Sequence, residues 1–275
     1  MFRVLWRRKT GLVGFIVLAS ICLAAILAPF VAPCDPYRLN PSIRLQPPNR
    51  AHLFGTDMFG RDILSRVLYG ARLSLITGFS VAFLSGTMGV GVGIVSAYFK
   101  RTGMILMRVN DALMAFPEII LALALLAIAG RASLANVIIA LGIAYAPRMA
   151  RTAYGLALRI REFAYIEAAQ AIGSGSFRII FYHLLPNLIS PVIVQTTFTC
   201  ALAILGSASL DFLGVGVSPE VPSWGAMVNE GRIYITIAPW VIVFPGFFVS
   251  LLVLALNLLG DALRDALDPR LRRLV

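Results

Sequence analysis

Long apolar segments alternate with short polar segments along almost the whole chain. Each apolar segment is long enough, at about 1.5 Å per helical residue, to cross a hydrocarbon core about 30 Å thick. We therefore predict an all-α membrane protein with six transmembrane helices. The predicted spans are residues 11–32, 73–99, 112–130, 134–154, 187–211 and 238–260.

One polar segment, residues 155–186, has a different pattern from the other connections. It is too polar to span a bilayer, yet Phe163 and Ile166 recur at helical spacing on one apolar face. Glycine tolerates positive φ and proline lacks an N–H group, so we predict two short helices, broken at Gly173 and ended by Pro186. Such a segment should dock against another component at the membrane surface.

The composition agrees with a membrane location. Apolar residues make up 59% of the chain and charged residues only 13%, against about 25% charged residues in soluble domains. The net charge of +11 is concentrated at span ends and in short loops. That placement favours contact with anionic lipid head groups over contact with nucleic acid.

The basic residues set the predicted orientation. With the N-terminus inside, 16 of the 24 basic residues lie on the cytoplasmic side, so we expect both termini in the cytoplasm. The first apolar run has 22 residues and is interpreted as an uncleaved span. Residues 61–72 are interpreted as an elbow helix along the outer interface, where Trp224 and Trp240 would be aromatic anchors.

Enzyme motifs are absent from the sequence. Neither lysine belongs to a G-x-x-x-x-G-K-[ST] loop, and no H-E-x-x-H or G-x-S-x-G motif occurs. We therefore predict neither nucleotide binding through a P-loop nor hydrolase chemistry. The three cysteines, Cys22, Cys34 and Cys200, form no metal or disulfide pattern.

Few acidic residues fall within the predicted spans. Asp111 and Glu118, seven residues apart on one expected helix face, lie in the inner part of the third span, and Asp211 lies near the outer end of the fifth. Intramembrane acids are often functional, so Glu118 and Asp211 are candidate contacts for a solute path or a neighbouring subunit. The alternative for Glu118 is an ion pair with an arginine such as Arg108.

Small residues recur every four positions in the second predicted span, at Ser85, Gly89 and Gly93. This spacing lets another helix approach closely. It is compatible with packing inside this chain and equally with an interface between subunits.

Four blocks of sequence lie in order between the predicted spans. They are His52-Leu-Phe-Gly-Thr-Asp57 continuing to Leu75, Glu167-Ala168-Ala169 followed by Gly173 and Leu185-Pro186, Phe212-Leu-Gly-Val-Gly216 followed by Trp224, and Asn257 to Arg270. Together they resemble the second, C-type permease subunit of binding-protein-dependent ABC importers for dipeptides, oligopeptides and nickel. The chain departs from the family pattern at Ser207 and Asp211, because the family commonly has the acidic residue first and the serine later.

The resemblance implies a type I importer permease (MetI-like) fold. Residues 1–72 would form the N-terminal tail, first span and outer loop, and residues 73–275 a five-helix core that contains the coupling (EAA) loop, residues 155–186. The implied partners are a homologous second permease, two ATPase subunits that bind ATP and magnesium, an extracytoplasmic solute-binding protein and the lipid bilayer. No cofactor, metal or nucleic acid is expected on this chain. The residues carried over for ATPase contact are Glu167, Ala168, Ala169, Gly173, Leu185 and Pro186.

The expected function is therefore that of a permease subunit, which passes substrate from a solute-binding protein through a heterodimeric pore. Di- and oligopeptides are the first expected substrates, with nickel or glutathione as alternatives. A stand-alone secondary transporter, an intramembrane enzyme and a scaffold are rival hypotheses. The last two require a cluster of polar side chains at one depth, which the sequence does not indicate.

Overall fold

The computed structural model describes residues 9–131, 133–218 and 220–267, and within these ranges its secondary structure is helical apart from one isolated bridge between Thr56 and Asp62. The helices are α1 (Lys9–Val31), α2 (Ile63–Tyr98), α3 (Lys100–Met114), α4 (Glu118–Ala129), α5 (Leu134–Arg161), α6 (Ala164–Ala171), α7 (Ser176–Phe212), α8 (Trp224–Gly231) and α9 (Trp240–Leu267), with short 3-10 turns at Pro41–Ile43 and Arg232–Tyr234.

Four of these helices, α1, α2, α7 and α9, are each long and apolar enough to cross a membrane. Helices α3 and α4 qualify only as a pair, and the pair is bent by 96°. Helix α5 has 28 residues but is not among the qualifying helices, since Arg148 and Arg151 interrupt its apolar sequence. The first, second, fourth, fifth and sixth predicted spans are confirmed as helices, whereas the count of six crossings stays a prediction.

The third predicted span, residues 112–130, is not one straight helix. Helix α3 ends at Met114 and α4 begins at Glu118. Pro117 explains the break, because it has no N–H group and its ring disfavours helical geometry at the residue before it. Asp111 and Glu118 therefore belong to different helices, and the expectation that they share one helix face is wrong.

The elbow helix expected at residues 61–72 is not a separate element. Helix α2 begins at Ile63, where the Asp62 carboxylate caps it by accepting a hydrogen bond from the Ser65 N–H group at 2.8 Å. The helix then continues without a break to Tyr98, and its 36 residues make a rod about 54 Å long. The domain boundary placed between residues 72 and 73 consequently falls inside one helix.

The small residues of α2 serve packing within this chain. A Cβ atom on Gly89 would lie 2.6 Å from Met149 Cβ, and one on Gly93 would lie 2.6 Å from Ala153 Cβ. Those distances are too short for any side chain, so only glycine permits this approach between α2 and α5. Ser85 is fully buried on the same helix. Of the two interpretations, packing inside the chain is the one that the structure supports.

Trp224 and Trp240 join the outer segments to the helices. Trp224 is fully buried, and its indole N–H group donates to the Val67 carbonyl oxygen at 3.0 Å. Trp240 is partly buried and donates to the Thr56 carbonyl oxygen at 3.3 Å. The interpretation of Trp224 as an interfacial anchor is wrong, because its ring packs between α2 and α9, where it contacts Phe248.

Candidate functional site

The Glu-Ala-Ala block lies in helix α6. This helix packs against the remainder of the chain through a narrow buried face. Ile166 is fully buried in a cluster that includes Ile160, Ile179 and Leu184. The opposite face carries Glu167 and Ala168, which are both exposed. The helix therefore presents an acid and a small side chain outward, while its apolar side holds it in place.

Gly173 reverses the chain after α6, as predicted. Its φ angle is +80°, in the left-handed region that favours glycine. The N–H groups of Gly173 and Ser174 donate to the carbonyl oxygens of Gln170 and Ala169, at 2.9 and 3.0 Å. A Cβ atom at Gly173 would meet nothing within 4 Å, so a neighbouring protein has room to approach this turn.

The second short helix does not end at Pro186, so that part of the prediction is wrong. Helix α7 runs from Ser176 through Pro186 to Phe212. Its residues Ile179–Leu184 adopt π-helical geometry, in which the Leu185 N–H group bonds the Ile180 carbonyl oxygen. Proline is tolerated in the first turn of an α-helical stretch, because its missing N–H group needs no partner there. The coupling loop is thereby joined rigidly to a membrane span.

The six residues carried over for ATPase contact are not equally accessible. Glu167, Ala168, Gly173 and Pro186 are exposed, and Leu185 is partly buried. Ala169 is 8% exposed, so it supports α6 from beneath and is not part of its outer surface.

Large apolar side chains on the same segment are uncovered in this chain. The exposed fraction is 84% for Ile172, 80% for Phe177 and 76% for Tyr182. Exposed side chains of this size are typical of a surface that another protein or the membrane covers.

Two ion pairs connect the bent pair α3–α4 to helix α5. Glu118 Oε1 lies 2.7 Å from Arg148 Nη2, and Asp111 pairs with Arg151. The predicted alternative for Glu118, an ion pair with an arginine, is confirmed, but the partner is Arg148 and not Arg108, because the break at Pro117 turns Glu118 toward α5. All four side chains are between 31% and 51% exposed.

Asp211 is buried near the end of α7 and stabilises the turn that follows it. Its Oδ1 atom accepts a hydrogen bond from the Val217 N–H group at 3.0 Å, and its side chain also bonds Ser223. Only 8% of the residue is exposed. Its carboxylate is thus bonded within this chain and stabilises the fold there, while a contact of Asp211 with solute or with a neighbouring subunit stays a prediction.

Four charged side chains form a compact group at the start of α2, which we call the outer charge cluster: Asp57, Arg61, Arg66 and Glu230. Asp57 Oδ2 accepts from Arg61 Nε at 2.6 Å and from Arg66 Nη1 at 2.5 Å. Glu230 Oε2 accepts from both arginines at 2.8 Å. The cluster joins the loop before α2 to helix α8. The sequence alone does not predict it, because Glu230 lies far along the chain from the other three residues.

Cys34, His52 and Asp62 also come together at this end, with their potential metal-ligating atoms within 4.8 Å of one another. His52 Nδ1 lies 2.9 Å from Asp62 Oδ1, and the Cys34 N–H group donates to Ser65 Oγ. Burial and the Asp62 charge raise the pKa of the Cys34 thiol, against a smaller opposing effect of Arg38. These hydrogen bonds hold the outer loop against the start of α2.

Comparison with known proteins gives two matching family models. Residues 89–273 match the binding-protein-dependent transport system inner membrane component, and residues 1–48 match the N-terminal transmembrane domain of oligopeptide transport permease C. Among solved structures, an inward-facing MetNI methionine ABC transporter matches with a TM-score of 0.62 at 20% identity, over 75% of this chain and 98% of that one. This likeness shows that the fold is MetI-like.

Curated relatives match over almost the full length. A putative peptide transport system permease of Brucella suis is 48% identical over 98% of this chain and 91% of its own. A dipeptide transport system permease of Alkalihalophilus pseudofirmus is 44% identical, over 98% and 89%. A glutathione transport system permease of Pectobacterium atrosepticum is 40% identical, over 98% and 92%. The chain therefore belongs to the family of binding-protein-dependent transport system inner membrane components, as a permease subunit of an ABC importer in the bacterial inner membrane and not an enzyme.

Proposed function

We propose that this chain is the C-type permease of an ATP-driven importer for di- and oligopeptides. A homologous second permease completes the pore, and an extracytoplasmic solute-binding protein delivers the substrate. Two ATPase subunits bind ATP and magnesium and supply the energy. No cofactor is assigned to this chain itself.

The accessible surface of α6 and its turn is the single observation that carries the coupling proposal. Glu167 and Ala168 face outward, and Ile172 and Phe177 lie uncovered on the same segment. An ATPase groove that closes over this surface would bury the exposed apolar side chains and offer hydrogen-bond donors to the Glu167 carboxylate.

Movement of α6 can reach the membrane helices through rigid contacts. The buried side of α6 packs against the ends of α5 and α7. The Arg161 guanidinium at the end of α5 donates to the Ala97 carbonyl oxygen of α2. In the mechanism that we propose, closure of the two ATPases carries α6 inward, and these contacts move α2, α5 and α7 together to alternate access to the pore.

Peptides are the substrates that we propose first. Relatives between 44% and 48% identical are named as peptide or dipeptide transport permeases, and this chain spans about nine-tenths of their length. Glutathione is the second candidate, because a relative at 40% identity is named for its transport.

The test is ATP-driven peptide uptake by the complete transporter in proteoliposomes. We expect Glu167→Arg to lower uptake at least tenfold while the subunit still inserts and the peptide still binds to the solute-binding protein. Glu220→Arg is the matched control, because it makes the same change at an exposed acid far along the chain from α6. Normal uptake by Glu167→Arg would refute the coupling role.

A further inference from the structure

Helix α5 has one buried face and one open face. Met149, Ala150 and Ala153 are at most 1% exposed and pack against the glycines of α2. Arg148, Arg151, Gly155 and Arg159 are exposed and recur at intervals of three or four residues, so they form one continuous stripe. We call these four residues the open stripe of α5.

Asp111 and Glu118 of the bent pair α3–α4 contact the N-terminal end of this stripe. Each ion pair uses one guanidinium nitrogen, and about half of each arginine side chain, 49% for Arg148 and 51% for Arg151, is accessible. A guanidinium has five N–H donors and a carboxylate about four acceptor positions. Each pair can therefore hold its partner and still bind a further charged group.

A cavity with both polar and apolar lining lies beside the open stripe, where it is lined by Thr152 and Leu156 of α5. It measures about 750 Å³ and is lined by residues of α5, α7 and α9 that include Thr152, Ser190, Gln195 and Arg264. By contrast, the groove of about 680 Å³ between α2 and α7 is lined almost entirely by apolar side chains. The polar side chains of the cavity favour water beside the open stripe. The apolar lining of the groove favours lipid or protein there.

Charged side chains on a membrane helix are costly to expose to hydrocarbon, so they face water, a bundle interior or one another. Among the residues that the structure describes, the four residues of the open stripe are exposed, and two of them pair with Asp111 and Glu118 on α3–α4. In the complete transporter, either an aqueous passage or the second permease must cover it.

We propose that the open stripe lines an aqueous passage, and that the Glu118–Arg148 and Asp111–Arg151 pairs are a contact site for a solute that carries both a positive and a negative group. The two termini of a zwitterionic peptide have this chemistry, and this part of the inference rests on the proposed function. Neighbouring pairs are about 5 Å apart along α5, one helical turn, while two extended residues span at most about 7 Å. Mutually paired charges would bind such a solute weakly enough to release it.

The first experiment measures water access and needs no peptide. Gly155 is chosen because a Cβ atom there would meet nothing within 4 Å. Gly155→Cys is introduced into the complete transporter, whose native cysteines are replaced by alanine, and the transporter is placed in proteoliposomes. We expect a charged thiol reagent to modify Gly155→Cys at least tenfold faster than Ile189→Cys, an exposed apolar position on α7 at the level of the same cavity. Equal rates would overturn the proposal, since they would mean that lipid or the second permease covers the stripe.

The second experiment separates solute contact from a structural ion pair. Arg148→Gln and Glu118→Gln are compared with the double variant that carries both changes, in which two amides can still bond each other. We expect each single variant and the double variant to lower peptide uptake at least fivefold, with the amount of assembled transporter unchanged. Arg101→Gln, an exposed arginine on α3, is the control and should not change uptake.

Recovery of uptake in the double variant would show that the pair only holds the fold, and would overturn the contact site. If the unmodified transporter took up no peptide, the proposed function would fail. The labelling rate at Gly155→Cys would still test the passage in that case.

Discussion

Two groups of acids and arginines hold parts of this chain together, and they differ chiefly in burial. In the outer charge cluster the side chains of Asp57 and Arg66 are 1% exposed and that of Glu230 is 17% exposed. In the pairs between α3–α4 and α5 the exposed fractions run from 31% to 51%. The first group is largely enclosed by protein, and the second is about half open to its surroundings.

The difference in burial indicates that the two groups have different roles. A buried charge must keep its partner, because removing one side chain leaves the other uncompensated in a medium of low polarity. A half-exposed pair is screened by water and contributes little to stability. We therefore assign the outer charge cluster to the fold and the open pairs to solute contact.

The largest effect should come from breaking the outer charge cluster. Arg66→Ala leaves Asp57 and Glu230 short of one partner, and we expect a loss of about 3–5 kcal/mol in the free energy of unfolding in detergent micelles. Arg50→Ala, at an exposed arginine of the same loop region, should change it by less than about 0.5 kcal/mol. A loss below about 1 kcal/mol for Arg66→Ala would remove the contrast between the two groups.

A smaller effect should distinguish the two faces of α5. Gly93→Val places methyl groups against Ala153, and we expect a loss of about 1–3 kcal/mol in the free energy of unfolding. Gly155→Val adds the same atoms on the open stripe, where nothing lies within 4 Å, so we expect no loss. Similar losses in both variants, measured in the same micelles, would argue against an open face.

The smallest effect on stability should follow from Arg148→Ala. The pair with Glu118 is partly solvated, so we expect a change below about 1 kcal/mol in the free energy of unfolding, together with the loss of peptide uptake described above. A loss as large as that of Arg66→Ala would assign the open pairs to the fold instead.

The sequence predicts the helices better than it predicts their breaks and contacts. Pro117 and Pro186 look equivalent in the sequence, yet only Pro117 ends a helix. Pro186 follows a π-helical turn, and the spacing of apolar residues does not predict such a turn. The Gly173 turn was predictable because it depends on local backbone geometry alone.

The partners of charged residues depend on tertiary structure and could not be predicted. Glu118 meets Arg148, thirty positions away, and not the nearer Arg108, because the bend after Met114 redirects it. Asp211 was a candidate for solute contact from its depth in a span, but its buried environment is formed by a turn that follows it. The family motif identifies the segment that contains the six coupling residues. The structure adds that Ala169 is buried, unlike the exposed residues of that set.

The central claim is that α6 is the point at which an ATPase moves this permease. The most direct measurement is cross-linking from Ala168→Cys, an exposed position on α6, in the purified transporter with a short thiol-to-amine reagent. We expect the cross-linked product to contain this chain and an ATPase subunit, and its yield to change when ATP is bound. A product that contains only the solute-binding protein, or labelling of Ala168→Cys from outside intact cells, would contradict the claim.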